Sequence, residues 1–243
     1  IYYLIYSDIS RGKPTCLSYA TSRSPLGPFE KGGVIIDNAD CDIESWNNHG
    51  SIVEFQGQWY VFYHRSSQAS SCSRRACIEP ITFNDDGSIP EVEMTTQGSE
   101  GPIPATVKMD AARACQLSGR AIRVSVAERS RTNDTLSEYL SHIRKGEWAA
   151  YKYLDFGEGV TSFEAEVASL RDGGEMELRL DGPEGELIAS VVVPHTGGWQ
   201  LWQTVTCAVK PATGVHALYL VCKGTHAPPR SRLMGIESFR FTK

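Results

Sequence analysis

No apolar run in the 243 residues approaches the roughly 18–20 that a membrane-crossing helix requires. Basic clusters are missing too. With 24 Lys and Arg against 29 Asp and Glu, the net charge of −5 argues against nucleic acid, whose phosphates need a basic patch. There is no phosphate-cradling Gly loop, no nucleophile elbow and no zinc motif. Seven cysteines are scattered, and the one close pair, Cys72 and Cys77, fits no common zinc spacing. Their odd number leaves the redox compartment open. No convincing helical periodicity occurs; residues 113–117 make one turn at most. The chain opens at Ile1 inside a strand pattern, with neither Met nor leader. The expectation is therefore that sequence lies upstream, which makes the missing leader silent on secretion.

What is present is β-pattern. An apolar content of 41% is enough for a core. Residues 47–65 read as a hairpin: a strand over 51–55, Gln56-Gly57 as the turn, and a second strand over 58–64. Trp59, Val61 and Tyr63 fall on one face and Tyr60, Phe62 and His64 on the other, so burial on both faces is expected. Asn48 and His49, entering such a strand, must then be hydrogen-bonded or metal-bound. Tyr2-Tyr3-Leu4-Ile5-Tyr6-Ser7 matches Trp59-Tyr60-Val61-Phe62-Tyr63-His64 position by position. Repeated small antiparallel sheets are the sign of a β-propeller, although two hairpins of a sandwich give the same pattern.

In order, strands are expected over 1–7, 15–20, 34–36 and 75–83, with polar loops at 8–13 and 66–73 and a turn at 84–90. The acidic loop 37–44 reads as solvated. A Gly- and Pro-containing stretch marks the boundary, giving domains over 1–98 and 105–243 and a linker over 99–104. Beyond it, strands are expected over 121–126, 148–154, 162–168, 175–180, 186–193, 202–209, 216–222 and 235–241, with a hairpin turn at 181–185. Short strands at this spacing indicate a β-sandwich of jelly-roll type. Carboxylate pairs for sugar hydrolysis cannot be placed by spacing, because they come from separate strands.

Residues 2–7, Ser18-Tyr19-Ala20-Thr21-Ser22-Arg23-Ser24-Pro25-Leu26-Gly27-Pro28-Phe29, Asn48-His49-Gly50-Ser51, 59–65 and Asn84-Asp85-Asp86-Gly87-Ser88-Ile89 together resemble the C-terminal blades of glycoside hydrolase family 43. The resemblance covers about residues 1–95. It implies about two blades of a five-bladed propeller whose relatives cleave arabinose- and xylose-containing plant polysaccharides with inversion, using an Asp base, a Glu acid and an orienting Asp. In the family all three precede the Tyr-Tyr-Leu strand, so no catalytic residue is expected in this chain. Two positions carry over: His49, near the propeller axis, where relatives hold calcium or ordered water, and Arg74, which reaches the sugar pocket, with Arg75 an alternative register.

Residues 105–243 resemble a family 6 carbohydrate-binding module, through Gly146-Glu147-Trp148, Leu154-Asp155-Phe156-Gly157, Val167-Ala168-Ser169, Arg179-Leu180-Asp181-Gly182-Pro183, 193–202 and 214–220. Such modules stack sugar rings on aromatics in a loop cleft. The resemblance gives Trp199 that role and leaves Trp202 to the core. It also shows departures. His142 stands where a second aromatic is usual, and Arg232 and Gly235 replace the usual Asn residues. For a module calcium, Asp110 and Glu237 keep carboxylates while Ala112 removes the third, against the 6–8 oxygens Ca²⁺ prefers. The resemblances thus imply an all-β, extracellular glycoside hydrolase portion that binds arabinoxylan, xylan or arabinan, without nucleic-acid or membrane partners. The alternatives are a carbohydrate-binding or a purely structural module.

Overall fold

Alternating burial along Gln58–Ser67 shows how the first half is built. Val61 and Tyr63 are buried, whereas Phe62 between them is 42% exposed. The computed structural model describes residues 1–41, 48–119, 121–128, 137–171, 173–224 and 231–243, and divides into two compact units, Ile1–Ser99 and Glu100–Lys243. Part of the acidic loop at 37–44 thus lies outside the described residues.

The first unit holds two successive three-stranded antiparallel sheets. One is ordered β1 (Tyr2–Asp8), β2 (Cys16–Ser22), β3 (Glu30–Ile36) and the other β4 (Ser51–Phe55), β5 (Gln58–Ser67), β6 (Ser70–Ile81). This is the repeated-meander pattern of propeller blades. Gln56 and Gly57 both take positive φ, 53° and 82°, the twist a two-residue hairpin needs. Gln68 and Ala69 do the same at 61° and 48°. The region 66–73, expected as a polar loop, is therefore mostly strand.

One apolar cluster draws Leu17, Tyr19, Ile35 and Ile36 from the first sheet and Val61, Tyr63 and Ile81 from the second. Burial of β5 on both faces is not observed: each sheet gives one face to this cluster, and the opposite face of β4 and β5 leaves Val53, Phe55 and Phe62 exposed. Residues 84–95 strap the unit together. Tyr3 donates to the Gly87 carbonyl at 2.6 Å, the Ile89 N–H donates to the Tyr19 hydroxyl at 3.0 Å, and the Val92 N–H to the Ile35 carbonyl at 2.8 Å.

The second unit is a sandwich of two six-stranded sheets. One runs β10 (Arg123–Val126), β11 (Glu138–Ile143), β18 (Met234–Thr242), β13 (Ser162–Ala168), β16 (Gln203–Ala208), with β8 (Met109–Asp110) on β18. The other runs β15 (Glu186–Val193), β14 (Gly174–Leu180), β17 (Val215–Lys223), β12 (Trp148–Asp155), β7 (Ile103–Pro104), with β9 (Gln116–Leu117) on β12. Strands distant in sequence lie side by side, the crossing pattern of a jelly roll. Between the sheets Phe163 meets Phe241 and Phe239 at 5.1 and 5.9 Å, and Tyr151 meets Phe239 edge-on at 4.7 Å. The Tyr151 hydroxyl is satisfied by the Ala111 carbonyl at 2.7 Å.

Four details differ from expectation. Ile103–Pro104, read as linker, pairs with β12, because Ala105 is fixed to both sheets: its N–H donates to the Asp155 carbonyl at 2.8 Å, and its carbonyl accepts from the Phe241 N–H at 3.0 Å. Among the described residues the helical turn is Ala111–Arg113, and Gln116–Leu117 is strand. Strand β11 was missed. Strand β16 begins at Gln203, which leaves Trp202 in the preceding loop.

Candidate functional site

In the first unit the chain entering β4 is pinned by polar groups. The Asn48 N–H donates to Thr15 Oγ1 at 2.7 Å, its side-chain amide donates to Asn38 Oδ1 at 2.8 Å, and its carbonyl accepts from the Ser7 hydroxyl. Asn38 in turn donates to the His64 carbonyl at 2.8 Å. Gly50 is required: a Cβ there would lie 2.1 Å from the Phe62 carbonyl oxygen. This frame leaves His49 exposed and edge-on to His64 at 5.3 Å. Both ring nitrogens of His64 are buried without a hydrogen-bond partner among the described residues. Burial pulls its pKa down, and Arg74 and His49 add to that, so the ring is neutral near pH 7. Arg74 is exposed on β6, opposite Ser66. His49, His64 and Arg74 thus share one polar neighbourhood.

Glu79 was not singled out by the sequence, where it sits inconspicuously between Ile78 and Pro80. It is 2% exposed, and accepts from the Thr95 N–H at 2.8 Å, the Thr95 hydroxyl at 2.9 Å and the Tyr63 hydroxyl at 3.1 Å. Burial raises its pKa, opposed by those hydrogen bonds. A carboxylate so occupied holds the strap at residue 95 to β6. A depression of about 430 Å³ lies at the end of β2, between Arg23, Ser24, Glu30 and Asp86; no candidate residue lines it.

In the second unit two segments converge. Buried Ser169 ties them: its N–H donates to Thr196 Oγ1 at 2.9 Å, its carbonyl accepts from the Thr196 N–H at 2.9 Å, and its hydroxyl donates to the Leu233 carbonyl at 2.6 Å. Thr196 opens the loop carrying Trp199, and Leu233 follows Arg232. On the far side of that loop Gln200 Oε1 accepts from the Glu128 N–H at 2.7 Å. The outcome is a stack: Cζ of Arg232 lies 4.0 Å from the centre of the half-buried Trp199 ring. Such a contact is worth about 0.5–2 kcal/mol.

Around the stack, Tyr139 packs edge-on to Trp202 at 5.2 Å, and its hydroxyl raises the Arg232 pKa against the stronger downward pull of burial. His142 takes φ 59° on β11 and shares a 2.8 Å hydrogen bond between Nδ1 and the Ser141 hydroxyl. Its pKa falls to about 4, through burial first and then Arg232, Arg123 and Arg144. Gly235 is held small, since a Cβ would meet the Tyr139 ring and the Leu140 carbonyl at 3.3 Å. Trp199, His142 and Arg232 therefore belong to one neighbourhood, together with Tyr139 and Arg123, which the sequence reading left out. No spacing rule joins residues on separate strands and loops.

Residues 120–243 match the family model of carbohydrate binding module (family 6). The chain belongs to this family. Ahead of the family 6 module, residues 1–89 match glycosyl hydrolases family 43. A xylosidase/arabinosidase of Thermoclostridium stercorarium is 32% identical over 92% of this chain and 51% of its own length. The chain thus spans about half the length of the curated relatives it matches. A crystal structure of a family 43 arabinoxylan arabinofuranohydrolase from Bacillus subtilis, in complex with cellotetraose, is similar across 100% of this chain and 52% of that one, at 30% identity and a TM-score of 0.58. A family 6 module from Clostridium cellulolyticum, in complex with xylose, matches 58% of this chain and 99% of its own at 31% identity and a TM-score of 0.51.

In the module, Asp110 is exposed on β8 opposite Ser238, and its neighbour Glu237 is buried where β18 bulges against β13. Among the described residues no three His, Cys, Asp or Glu side chains converge. Among the described residues, the carboxylates of Asp110 and Glu237, and the imidazoles of His49 and His64, supply fewer side-chain oxygens than the 6–8 oxygen ligands Ca²⁺ takes.

Proposed function

We propose that the chain is part of a secreted glycoside hydrolase acting on arabinose- and xylose-containing plant polysaccharide, with the family 6 module holding that polysaccharide through the Trp199 cleft. The observation that carries this reading is the order of the two matched families along one chain, the same order in relatives named for xylosidase, arabinosidase and arabinoxylan arabinofuranohydrolase activity. Inverting hydrolysis needs one carboxyl to protonate the leaving oxygen and another to activate water across the sugar. Glu79 supplies neither, because Tyr63 and Thr95 take up its oxygens. What the chain contributes is binding. The loop Trp offers an apolar face to sugar C–H groups, and its Gly-Gly approach and Thr196–Ser169 anchor fix it in place.

Arabinoxylan, xylan and arabinan are the proposed ligands. Titration calorimetry of soluble arabinoxylan with this chain and with Trp199→Ala tests the reading. Binding that is lost in the variant supports it. No binding by either chain leaves a structural module, a second reading favoured by the guanidinium already lying on Trp199.

A further inference from the structure

We infer that the Trp199 cleft selects an acidic saccharide, one carrying a uronic acid carboxylate, over a neutral one, with Arg232 as the specificity-determining residue. The inference rests on the sugar-binding reading of this cleft and narrows it. Three observations carry it.

The first is occupancy. The Arg232 guanidinium lies 4.0 Å from the centre of the Trp199 ring and covers one of its faces. A neutral sugar stacking on that face has to displace the cation from its aromatic partner. The second is an unanswered pair of donors. Nε and Nη2 of Arg232 are buried with no acceptor among the described residues. Beside the Tyr139 hydroxyl that bonds this guanidinium, two N–H groups that no described residue accepts are costly to bury, and a carboxylate matches such a fork with two parallel hydrogen bonds. The third is the sign of the surroundings. The charges acting on His142 are Arg232, Arg123 and Arg144, and the charge acting on Arg232, beside the Tyr139 hydroxyl, is Arg123. In a chain of net charge −5 this cleft is locally cationic. The contacts that hold the stack, the Ser169 N–H to Thr196 Oγ1 and the Ser169 hydroxyl to the Leu233 carbonyl, lie within the protein, so the guanidinium is placed before ligand arrives.

The test is calorimetry on the whole chain with four ligands: a neutral xylo-oligosaccharide, the same oligosaccharide bearing one glucuronic acid, that ligand after carboxyl reduction, and an oligogalacturonide. The expected result is binding of one or both uronic ligands tighter than the neutral one by on the order of tenfold or more. That preference weakens with added salt and disappears on carboxyl reduction. Whichever uronic ligand binds identifies the source of the acid. Arg232→Met is expected to abolish the preference. Carboxyl reduction asks the same question of the unaltered protein, so a poorly folded variant does not decide it. Equal or tighter binding of the neutral ligand overturns this inference alone. Absence of binding by all four overturns it together with the sugar-binding reading.

Discussion

The two units solve the burial of a β-sheet differently. The module closes two six-stranded sheets on each other, and its large aromatics, Tyr151, Phe156, Phe163 and Phe241, are fully buried. The described residues of the first unit form two three-stranded sheets, and they leave Tyr2, Leu4, Val53, Phe55 and Phe62 between 42% and 63% exposed. It compensates with polar fastening: Glu79 to Thr95, Asn48 to Thr15 and Asn38, and Asp8 to Ser18 at 2.9 Å. A sandwich is held mainly by area removed from water, whereas a pair of small sheets leans on a few satisfied buried groups.

The sharpest way to break this comparison is Phe163→Ala. It removes a fully buried ring from between Phe239 and Phe241, and a loss of about 3–5 kcal/mol is expected in denaturant unfolding. A loss below about 1 kcal/mol would mean that the sandwich core is not what holds the module. In the first unit the corresponding change is Glu79→Ala, which strands the Thr95 N–H and hydroxyl and the Tyr63 hydroxyl. The expected cost is about 1–3 kcal/mol, read from the same experiment.

Acid titration of stability sharpens the contrast. Glu79 has a raised pKa in the fold, so its contribution is full below the ordinary value of 4.5 and is lost as pH rises through the folded value. Glu79→Gln should therefore gain on the parent chain as pH rises. His142, held at about 4, works the other way. The unfolded chain takes up the proton first, so stability is lost as pH falls from 6.5 towards 4, and His142→Gln should remove that loss. His64 in the first unit acts in the same sense as His142, which is why the two variants, and not the two units, carry the comparison. The smallest effect is expected from Phe55→Ser on the open face: within about 0.5 kcal/mol in stability, but less aggregation on warming, followed by light scattering.

Much of the module was legible because its strands alternate cleanly. Ser162–Ala168 and Glu186–Val193 match the sequence reading residue for residue. Where alternation is interrupted, legibility stopped. Strand β11 bulges against β18, with His142 at positive φ, and it is not among the strands expected from the sequence. The Gln68–Ala69 turn lacks the Gly or Asn that marks a two-residue hairpin, so the facing ends of β5 and β6 were taken for a polar loop over 66–73. Trp199 stood out by its Gly-Gly approach. The guanidinium lying on it did not, since Arg232 reaches it from another segment, brought there by the Ser169 hydroxyl bonded to the Leu233 carbonyl, a link between distant segments that no spacing announces.

Ala105 gives the module a mechanical property. Its N–H is bonded to β12 in one sheet and its carbonyl to β18 in the other, between the two-residue strands β7 and β8. Tension drawn on the chain ahead of residue 103 would reach these few bonds before it reached any core strand. A module held fast while that chain is pulled would yield there first. The loss would be a short strap, and the cleft built on Ser169 would stay in place.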